Sequence, residues 1–343
     1  MATVALDGRG AERGAEAIVA GARAAAADGI RVRIFGEGAQ LAELEGADGI
    51  ELIEAPEEIT NDEEPVAAVR SKEAASVVLA ARDVAERRSD ALASAGPTGA
   101  TMTAALFAMR RMQGVRRPAL AVQLPIPGRE SQAPTLLLDA GANAEARSGD
   151  LVQFAYLGAA FSTAVLGVSR PRVALLSVGE EQGKGTPQLI EAHASLAAAD
   201  GIAFAGNVEG RDLLTGAADV IVSDGFTGNV ALKTIEGTAR AVGDAVGSAA
   251  RSGPVSALGG LLLRPALGGL RRRMDPDATG GAILLGVRGV AVVAHGSSGP
   301  EGIANAVRLA ARTVTERALE RTGESLERAG ATRSGLRDRK SSG

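Results

Sequence analysis

The fold is indicated most clearly by residues 172–186, which read RVALLSVGEEQGKGT. The first half, VALLSV, is almost wholly apolar, as expected of a strand that is covered on both faces of a sheet. The second half, GEEQGKG, gathers two carboxylates and one lysine between glycines. Parallel sheets bind their ligands beyond the carboxyl ends of the strands. This stretch therefore predicts a buried strand that ends in a functional loop.

The same alternation of short apolar runs and longer alanine-rich runs continues along the chain in both directions. It predicts strands at residues 3–7, 31–36, 50–55, 91–95, 119–124, 135–139, 172–178, 202–207, 220–224 and 289–294. It predicts helices at residues 12–28, 65–87, 100–113, 151–166, 187–198, 229–250 and 301–322. Such alternation indicates an α/β fold, a doubly wound three-layer α/β/α arrangement with a mostly parallel sheet. We expect the loops that follow the strands to converge on one edge of this sheet.

The composition excludes several classes of site. The chain has no cysteine and two histidines, His193 and His295. Thiol catalysis, cysteine-ligated zinc, iron–sulfur clusters and a histidine-rich metal site are therefore excluded. A net charge of −4 and an aromatic content of 2% argue against nucleic-acid binding. We assign His193 a structural role because it lies inside a predicted helix.

Length and patterning suggest how the chain is organised. At roughly 150 residues per domain, the length predicts about two domains or one large α/β unit. Residues 331–343 are polar and basic and predict a disordered tail. The chain shows no apolar run long enough to predict a membrane-spanning helix. The first residues, MATVALDG, predict a strand rather than a signal peptide, so we expect a cytoplasmic protein.

Four further loops follow predicted strands and carry polar side chains. SAGPTG at residues 94–99 and HGSSG at residues 295–299 each precede a helix, and small hydroxyl-bearing loops at helix N-termini suit an oxyanion such as phosphate. NVEGRD at residues 207–212 and DGFTGN at residues 224–229 combine amides, carboxylates and glycines. Each loop alone is equally compatible with a turn or a helix cap. Together they favour an anion-binding site.

The turn after the first strand leaves an alternative open. Residues 7–14 read DGRGAERG, and glycines after a first strand also occur in dinucleotide-binding proteins. The spacing differs from G-x-G-x-x-G, although Glu37, after the second strand, could bind a ribose. A nicotinamide site is therefore a minor alternative to a simple tight turn.

Taken in order, the loops resemble those of one enzyme family. The motifs are NDEEPVAAVRSKEAAS, SAGPTGA, LLDAGAN, VGEEQGKG, GNVEGRD, DGFTGN and AHGSS. In order and spacing they are similar to those of the bacterial phosphate acyltransferases, the acyl-acyl carrier protein:phosphate transacylases of phospholipid synthesis. The resemblance runs from about Val4 to Thr313.

This resemblance implies transfer of a fatty acyl group from acyl carrier protein to inorganic phosphate. It implies a homodimer, a fold similar to phosphate acetyltransferase and the isocitrate and isopropylmalate dehydrogenases, and no metal or organic cofactor. It also implies a catalytic region over residues 1–330 with two lobes around a cleft. The acyl phosphate would serve a membrane glycerol-3-phosphate acyltransferase. The enzyme would be cytoplasmic and peripherally associated with the inner face of the membrane.

The resemblance also implies roles for individual residues. Lys184 and Asn229 would lie beside the reacting centre, where Lys184 offsets negative charge and Asn229 orients phosphate or donates to the oxyanion. Further substrate or phosphate contacts and site-shaping residues would be Ser94, Thr98, Gly99, Glu181, Asn207, Glu209, Arg211, Asp224, His295, Ser297 and Ser298.

Three polar positions depart from the family pattern. The first turn, usually Asp-x-Met-Gly-Gly-Asp, is DGRGAE here and places Arg9 in it. Pro97 and Thr186 each stand where the family usually has Asn. Two other functions therefore remain open besides the acyltransferase. One is a phosphate acetyltransferase-like enzyme that uses coenzyme A thioesters, and the other is a catalytically silent, membrane-associated scaffold of lipid synthesis.

Residues 251–273 differ in character from the rest of the chain. They contain five arginines and no acidic residue, with leucines between them. Glycines and Pro265 predict a broken helical hairpin. The resemblance implies that this element docks on a membrane, with leucines among the lipids and arginines on anionic headgroups. Packing between protomers and contact with the acidic acyl carrier protein are alternatives. The membrane-contacting residues would be Leu258, Leu261, Leu262, Leu263, Arg264 and Leu267.

Overall fold

The computed structural model describes residues 1–129, 132–273 and 276–332, without the side chains of residues 265–267, 269–273 and 276. Within these ranges every strand belongs to one sheet: β1 (Thr3–Asp7), β2 (Arg31–Gly36), β3 (Ile50–Glu54), β4 (Ala91–Ser94), β5 (Ala119–Leu124), β6 (Thr135–Leu138), β7 (Arg172–Leu176), β8 (Ala203–Val208), β9 (Val220–Val222), β10 (Ala282–Leu285) and β11 (Val290–Val293).

Helices connect these strands. They are α1 (Gly14–Ala27), α2 (Gly38–Leu41), α3 (Pro65–Ser71), α4 (Ser76–Ala85), α5 (Thr98–Met109), α6 (Ser148–Ala164), α7 (Pro187–Ala197), α8 (Gly225–Ala250), α9 (Pro254–Arg273), α10 (Pro276–Thr279), α11 (Pro300–Thr315) and α12 (Ala318–Arg328). Short 3-10 turns lie at Ala42–Leu44 and Gly210–Asp212. The predicted three-layer α/β/α fold is confirmed.

The sheet consists of two parallel groups that run in opposite directions. Its order is β3-β2-β1-β4-β11-β10-β5-β6-β9-β7-β8. The first group (β3, β2, β1, β4, β11) and the second group (β6, β9, β7, β8) are each parallel. Between them, three successive antiparallel pairings involve β10 and β5. Because three reversals invert the strand direction, the expectation that all loops converge on one edge is wrong.

Helices cover both faces of the sheet, which explains the continuous apolar strands. In β7, Val173 and Leu175 pack in the core that contains α6 and α7, whereas Ala174 and Leu176 pack towards Leu232 of α8. All four strand residues are at most 6% exposed. A strand buried on both sides cannot alternate apolar and polar residues.

The structure changes several predicted boundaries. The predicted helix at 65–87 is two helices, α3 and α4, and the one at 301–322 breaks before α12 at Arg317, whose φ is 52°. Strand β10 was absent from the prediction. The broken helical hairpin predicted over 251–273 is wrong in its break: Pro254–Arg273 form one continuous helix, α9, packed on α8. A Cβ on Gly260 would lie 2.7 Å from Ala250 Cβ, so this glycine permits the close approach of the two helices.

The C-terminal boundary also moves. Ala331, assigned to the tail from the sequence, is 1% exposed, and its carbonyl accepts a hydrogen bond of 2.8 Å from Gln153 Nε2. Packing therefore continues past residue 330, and residues 333–343 of the predicted tail lie outside the described part. The division into two lobes stays a prediction.

Among the described helices, none is long and apolar enough to cross a membrane.

Candidate functional site

Helix α8 brings side chains of the two strand groups into contact. It follows β9 of the second group and begins with Asp224 as its N-cap, whose Oδ1 accepts from Thr227 N at 2.8 Å. Ala231, Leu232 and Ile235 pack on the core that covers the second group. Side chains on the neighbouring face of the helix can therefore contact residues of the first group.

The start of α8 rests on the loop after β6. Asp139 in this loop is fully buried and accepts five hydrogen bonds of 2.7–3.1 Å from Leu120 N, Gly141 N, Ala142 N and the backbone and side chain of Asn143. Because one side chain accepts all of these hydrogen bonds, the loop has one defined shape. Sequence reasoning assigned Asp139 no role, although LLDAGAN was among the motifs that carried the family resemblance.

Glycines let α8 dock tightly on this loop. An ideal Cβ on Gly228 would lie 2.0 Å from the carbonyl oxygen of Asp139, and one on Gly225 would lie 2.5 Å from that of Asn143. Asn229 follows directly, and its side chain lies against Gly141. The position of Asn229 is thus set by the buried carboxylate of Asp139.

Three polar side chains line one face of α8. Asn229, Lys233 and Glu236 follow one another at i, i+4 and i+7, so they share one face. Lys233 Nζ lies 2.8 Å from Glu236 Oε2 and 3.5 Å from His295 Nε2. His295 follows β11, so this contact joins the first group of strands to the second.

The loop that carries His295 is fixed by its own hydroxyls. Ser297 places its Oγ 2.8 Å from His295 Nδ1. Ser298 is buried and donates at 2.5 Å to Asp277 Oδ1, and Gly299 N donates to the other carboxyl oxygen. Ser298 therefore anchors this loop. Of the three site residues predicted in the loop, His295 and Ser297 are partly exposed and Ser298 is buried.

Lys184 lies in a separate loop, between β7 and α7. Its backbone N–H donates to Glu181 O at 3.0 Å and its carbonyl accepts from Ser177 Oγ, but among the described residues its ammonium group has no partner. Thr186, one of the family departures, caps α7 by accepting from Leu189 N at 3.3 Å. The loop is thus held by its backbone while the Lys184 ammonium stays exposed.

The neighbouring loop after β8 supports the Lys184 loop. Asn207 is 6% exposed, pairs with His193 Nδ1 at 2.9 Å and donates to Glu181 O at 3.0 Å. The predicted structural role of His193 agrees with this contact. Arg211 forms ion pairs of 3.0 Å with Glu180 and with Glu209 on the surface of the same loops.

A third network lies at the carboxyl ends of β1 and β4. Asp7 is buried and accepts from Ser76 Oγ at 2.5 Å and Ser94 Oγ at 2.7 Å. Burial raises the pKa of Asp7 from 3.8 to about 6, against the hydrogen bonds that lower it. The Ser94 hydroxyl also accepts from Gly96 N and contacts Thr101, so Ser94 organises this turn from inside.

The remaining residues of this turn lie nearer the surface. Thr98 is exposed at the start of α5, and Gly99 packs on Pro65, which a Cβ would approach to 2.7 Å. Arg9, the departure in the first turn, forms ion pairs of 3.1 Å with Glu37 and Glu58. Glu37, the residue considered for a ribose contact, is therefore engaged by Arg9.

The structure thus groups the predicted residues into three networks rather than one. In the described part of the chain no hydrogen bond joins Lys184 to Asn229, although both lie after strands of the second group. Asn229 instead shares its helix face with Lys233 and Glu236, which the sequence interpretation left without a role. The same part of the chain contains no cluster of carboxylates and histidines suited to a metal ion.

The comparisons with known proteins identify the family. A profile described as Fatty acid synthesis protein matches residues 2–321. A phosphate acyltransferase of Elusimicrobium minutum is 47% identical over 277 residues, 80% of each chain. One of Thermobifida fusca is 42% identical over 325 residues, 92% of this chain and 88% of that protein. This chain belongs to the phosphate acyltransferase family.

As a member of the phosphate acyltransferase family, the protein is an acyltransferase, and the predicted resemblance is confirmed. Solved structures agree on the fold. A phosphotransacetylase from Streptococcus pyogenes superposes with a TM-score of 0.60 at 17% identity, covering 92% of this chain and 94% of that one. A 4-hydroxythreonine-4-phosphate dehydrogenase from Klebsiella pneumoniae gives 0.54 at 14% identity, covering 90% and 98%. At these sequence identities the likeness to solved structures shows only that the folds are similar.

Proposed function

We propose that the protein transfers a fatty acyl group from acyl carrier protein to inorganic phosphate, giving acyl phosphate for phospholipid synthesis. A phosphate oxygen attacks the thioester carbonyl carbon, and the carbonyl oxygen becomes an oxyanion. The C–S bond then breaks, and the carrier thiolate leaves and takes up a proton. Phosphate itself is the nucleophile, so the absence of cysteine is no obstacle.

The observation that carries this proposal is the polar face of α8. Asn229 stands on it beside a rigid loop, and residues of both strand groups meet one turn further on at Lys233 and His295. Preorganised donors of this kind stabilise a developing oxyanion better than mobile ones. Asn229 would orient phosphate or donate to the oxyanion.

Lys184 would supply the positive charge at the thioester. Its ammonium has no ion pair among the described residues, so no bond has to break before it binds substrate. The remaining residues of that loop hold its shape: Asn207 ties Glu181 to His193, and Thr186 caps α7. The departure at Thr186 thus keeps a helix cap that Asn would also provide.

The test is phosphate-dependent formation of acyl phosphate. Purified protein is incubated with a long-chain acyl-acyl carrier protein, with and without phosphate, and acyl phosphate is trapped with hydroxylamine. Lys184→Ala should abolish the product while leaving the melting temperature unchanged, since Lys184 is exposed. Arg170→Ala removes a comparable exposed cation before β7, at the other end of the strand, and serves as the matched control. Full turnover by Lys184→Ala would remove its role.

The same assay decides the acyl donor. Faster turnover of an acyl-coenzyme A than of the acyl carrier protein would favour the phosphate acetyltransferase-like alternative. Binding of acyl carrier protein without any product would favour the silent scaffold, with the departures at Arg9, Pro97 and Thr186 as its cause.

We further propose that the hairpin of α8 and α9 is a peripheral membrane element of a cytoplasmic homodimer. Leu258, Leu261, Leu262 and Leu263 are 57–74% exposed, and Arg264 is exposed beside them. The side chain of Leu267 lies outside the described part. Exposed leucines next to arginines suit the boundary between headgroups and acyl chains.

Vesicle binding tests the hairpin. Leu262→Glu should weaken sedimentation with vesicles of anionic phospholipid, because a carboxylate is costly among acyl chains. Leu262→Met keeps an apolar side chain of similar volume and should bind like the wild type. Equal binding by all three proteins would exclude this surface.

A further inference from the structure

The cluster of Lys233, Glu236 and His295 has an unusual arrangement of donors. The backbone N–H of Ser297 donates to His295 Nδ1 at 3.3 Å, so Nδ1 acts as an acceptor. In a neutral imidazole the proton then lies on Nε2, which becomes a donor. Lys233 Nζ, 3.5 Å away, can only donate. In this tautomer the two groups face each other as donors and form no hydrogen bond.

Two facing donors need a shared acceptor. Glu236 Oε2 serves Lys233 at 2.8 Å but lies 3.9 Å from His295 Nε2, beyond hydrogen-bond distance. The side chains are 53%, 34% and 17% exposed for Lys233, His295 and Glu236, so a small ligand can reach them. An anionic oxygen placed between Nζ and Nε2 would accept from both.

We propose that Lys233, His295 and Glu236 form a site for hydrogen phosphate and that Glu236 selects it against sulfate. Lys233 and His295 donate to ionised oxygens of the anion. Glu236 can only accept, so it requires a ligand that still carries a proton. Inorganic phosphate keeps a proton at neutral pH, and sulfate keeps none. This inference rests on the proposed function, because it assigns the seat of the phosphate substrate.

Direct binding tests the site without relying on turnover. The full chain is titrated with inorganic phosphate or with sulfate, and affinity is taken from the rise in melting temperature. The wild type should bind phosphate about tenfold or more tightly than sulfate, since sulfate would set its oxygen against the Glu236 carboxylate. Equal affinity for the two anions, or no stabilisation by phosphate, would overturn the proposal.

Substitutions at Lys233 and Glu236 separate the role of the cation in binding from the role of the carboxylate in selecting phosphate. Lys233→Ala should weaken phosphate binding about tenfold or more, and Lys233→Arg should restore part of it. Glu236→Gln offers an amide N–H in place of an acceptor, so it should bind sulfate more tightly and narrow the preference for phosphate. Arg240→Ala removes an exposed cation further along α8 and should bind both anions like the wild type. Lys233→Ala binding phosphate as tightly as Arg240→Ala would refute the site.

Kinetics distinguish this site from the reaction itself. In the acyl phosphate assay, Lys233→Ala should raise KM for phosphate and leave KM for the acyl donor unchanged, which a general loss of structure would not do. Turnover with an unaltered phosphate KM overturns the site and leaves the proposed function standing. If phosphate binding depends on Lys233 but the protein shows no turnover, the site stands and the proposed function is overturned.

Discussion

Replacing Gly228 by alanine tests how α8 is positioned. Replacing an exposed glycine inside a helix by alanine normally stabilises the protein by about 1 kcal/mol. At Gly228 the new Cβ would lie 2.0 Å from Asp139 O and 2.7 Å from Ser223 Oγ. The carbonyl cannot rotate away, because the Asp139 side chain is held by five donors. Overpacking of this kind costs roughly 1–3 kcal/mol, so the helix start has to shift.

Gly243 provides the matched comparison on the same helix. A Cβ there meets nothing within 4 Å, so Gly243→Ala should stabilise the protein by up to about 1 kcal/mol. The two alanine variants should therefore differ by roughly 1–4 kcal/mol in free energy of unfolding, measured by urea unfolding followed by circular dichroism.

The rate of acyl phosphate formation should fall in the less stable variant, Gly228→Ala, and not in Gly243→Ala. Gly228 precedes Asn229, and a displacement of about 1 Å at a reacting centre can cost about a hundredfold in rate. Gly228→Ala should lose at least about tenfold in acyl phosphate formation, while Gly243→Ala keeps the wild-type rate. Wild-type stability and rate in Gly228→Ala would refute the close packing of α8 on the Asp139 loop.

Three further substitutions test carboxylates that accept hydrogen bonds within the fold. Burial raises the pKa of Asp7 to about 6, so the proton that stabilises the fold is lost as pH rises towards that value. The stability of the wild type relative to Asp7→Asn should accordingly fall by about 2 kcal/mol between about pH 4 and 7, measured by urea unfolding across that range. Asp139→Asn should cost about 3 kcal/mol or more, since an amide N–H would face backbone donors. Asp224→Asn should be nearly neutral because asparagine caps helices well; similar losses for both would contradict this assignment.

The strands were predictable because burial on both faces leaves a direct mark on the sequence. VALLSV at residues 173–178 and the other apolar runs correspond to strands in the structure. The four-residue run AILL of β10 carries too little pattern to separate a strand from a helix segment. The direction of the two strand groups could not be inferred, since it depends on β10 and β5 pairing across 160 residues of chain.

The sequence located the polar loops that follow the strands, but it could not give the direction of their side chains. Ser94 and Ser298 look like anion ligands in sequence, yet Ser94 donates to the buried carboxyl group of Asp7 and Ser298 to the partly buried carboxyl group of Asp277. These partners are 87 and 21 residues away, so no local motif reveals them. Glu236 was missed for the opposite reason: on a long helix a charged residue suggests only a solvated face.

The length of α8 sets the distance between the proposed site and the proposed membrane hairpin. A helix rises 1.5 Å per residue, so Asn229 lies about 25 Å from Val246, which is 41% exposed near the far end of α8. If the hairpin docks on a bilayer, the reacting centre stays within roughly one helix length of the lipid surface. A long-chain acyl phosphate is poorly soluble in water, and a short path to the bilayer would spare its chain from bulk solvent. The helix that places Asn229 and Lys233 would then also fix their distance from the membrane.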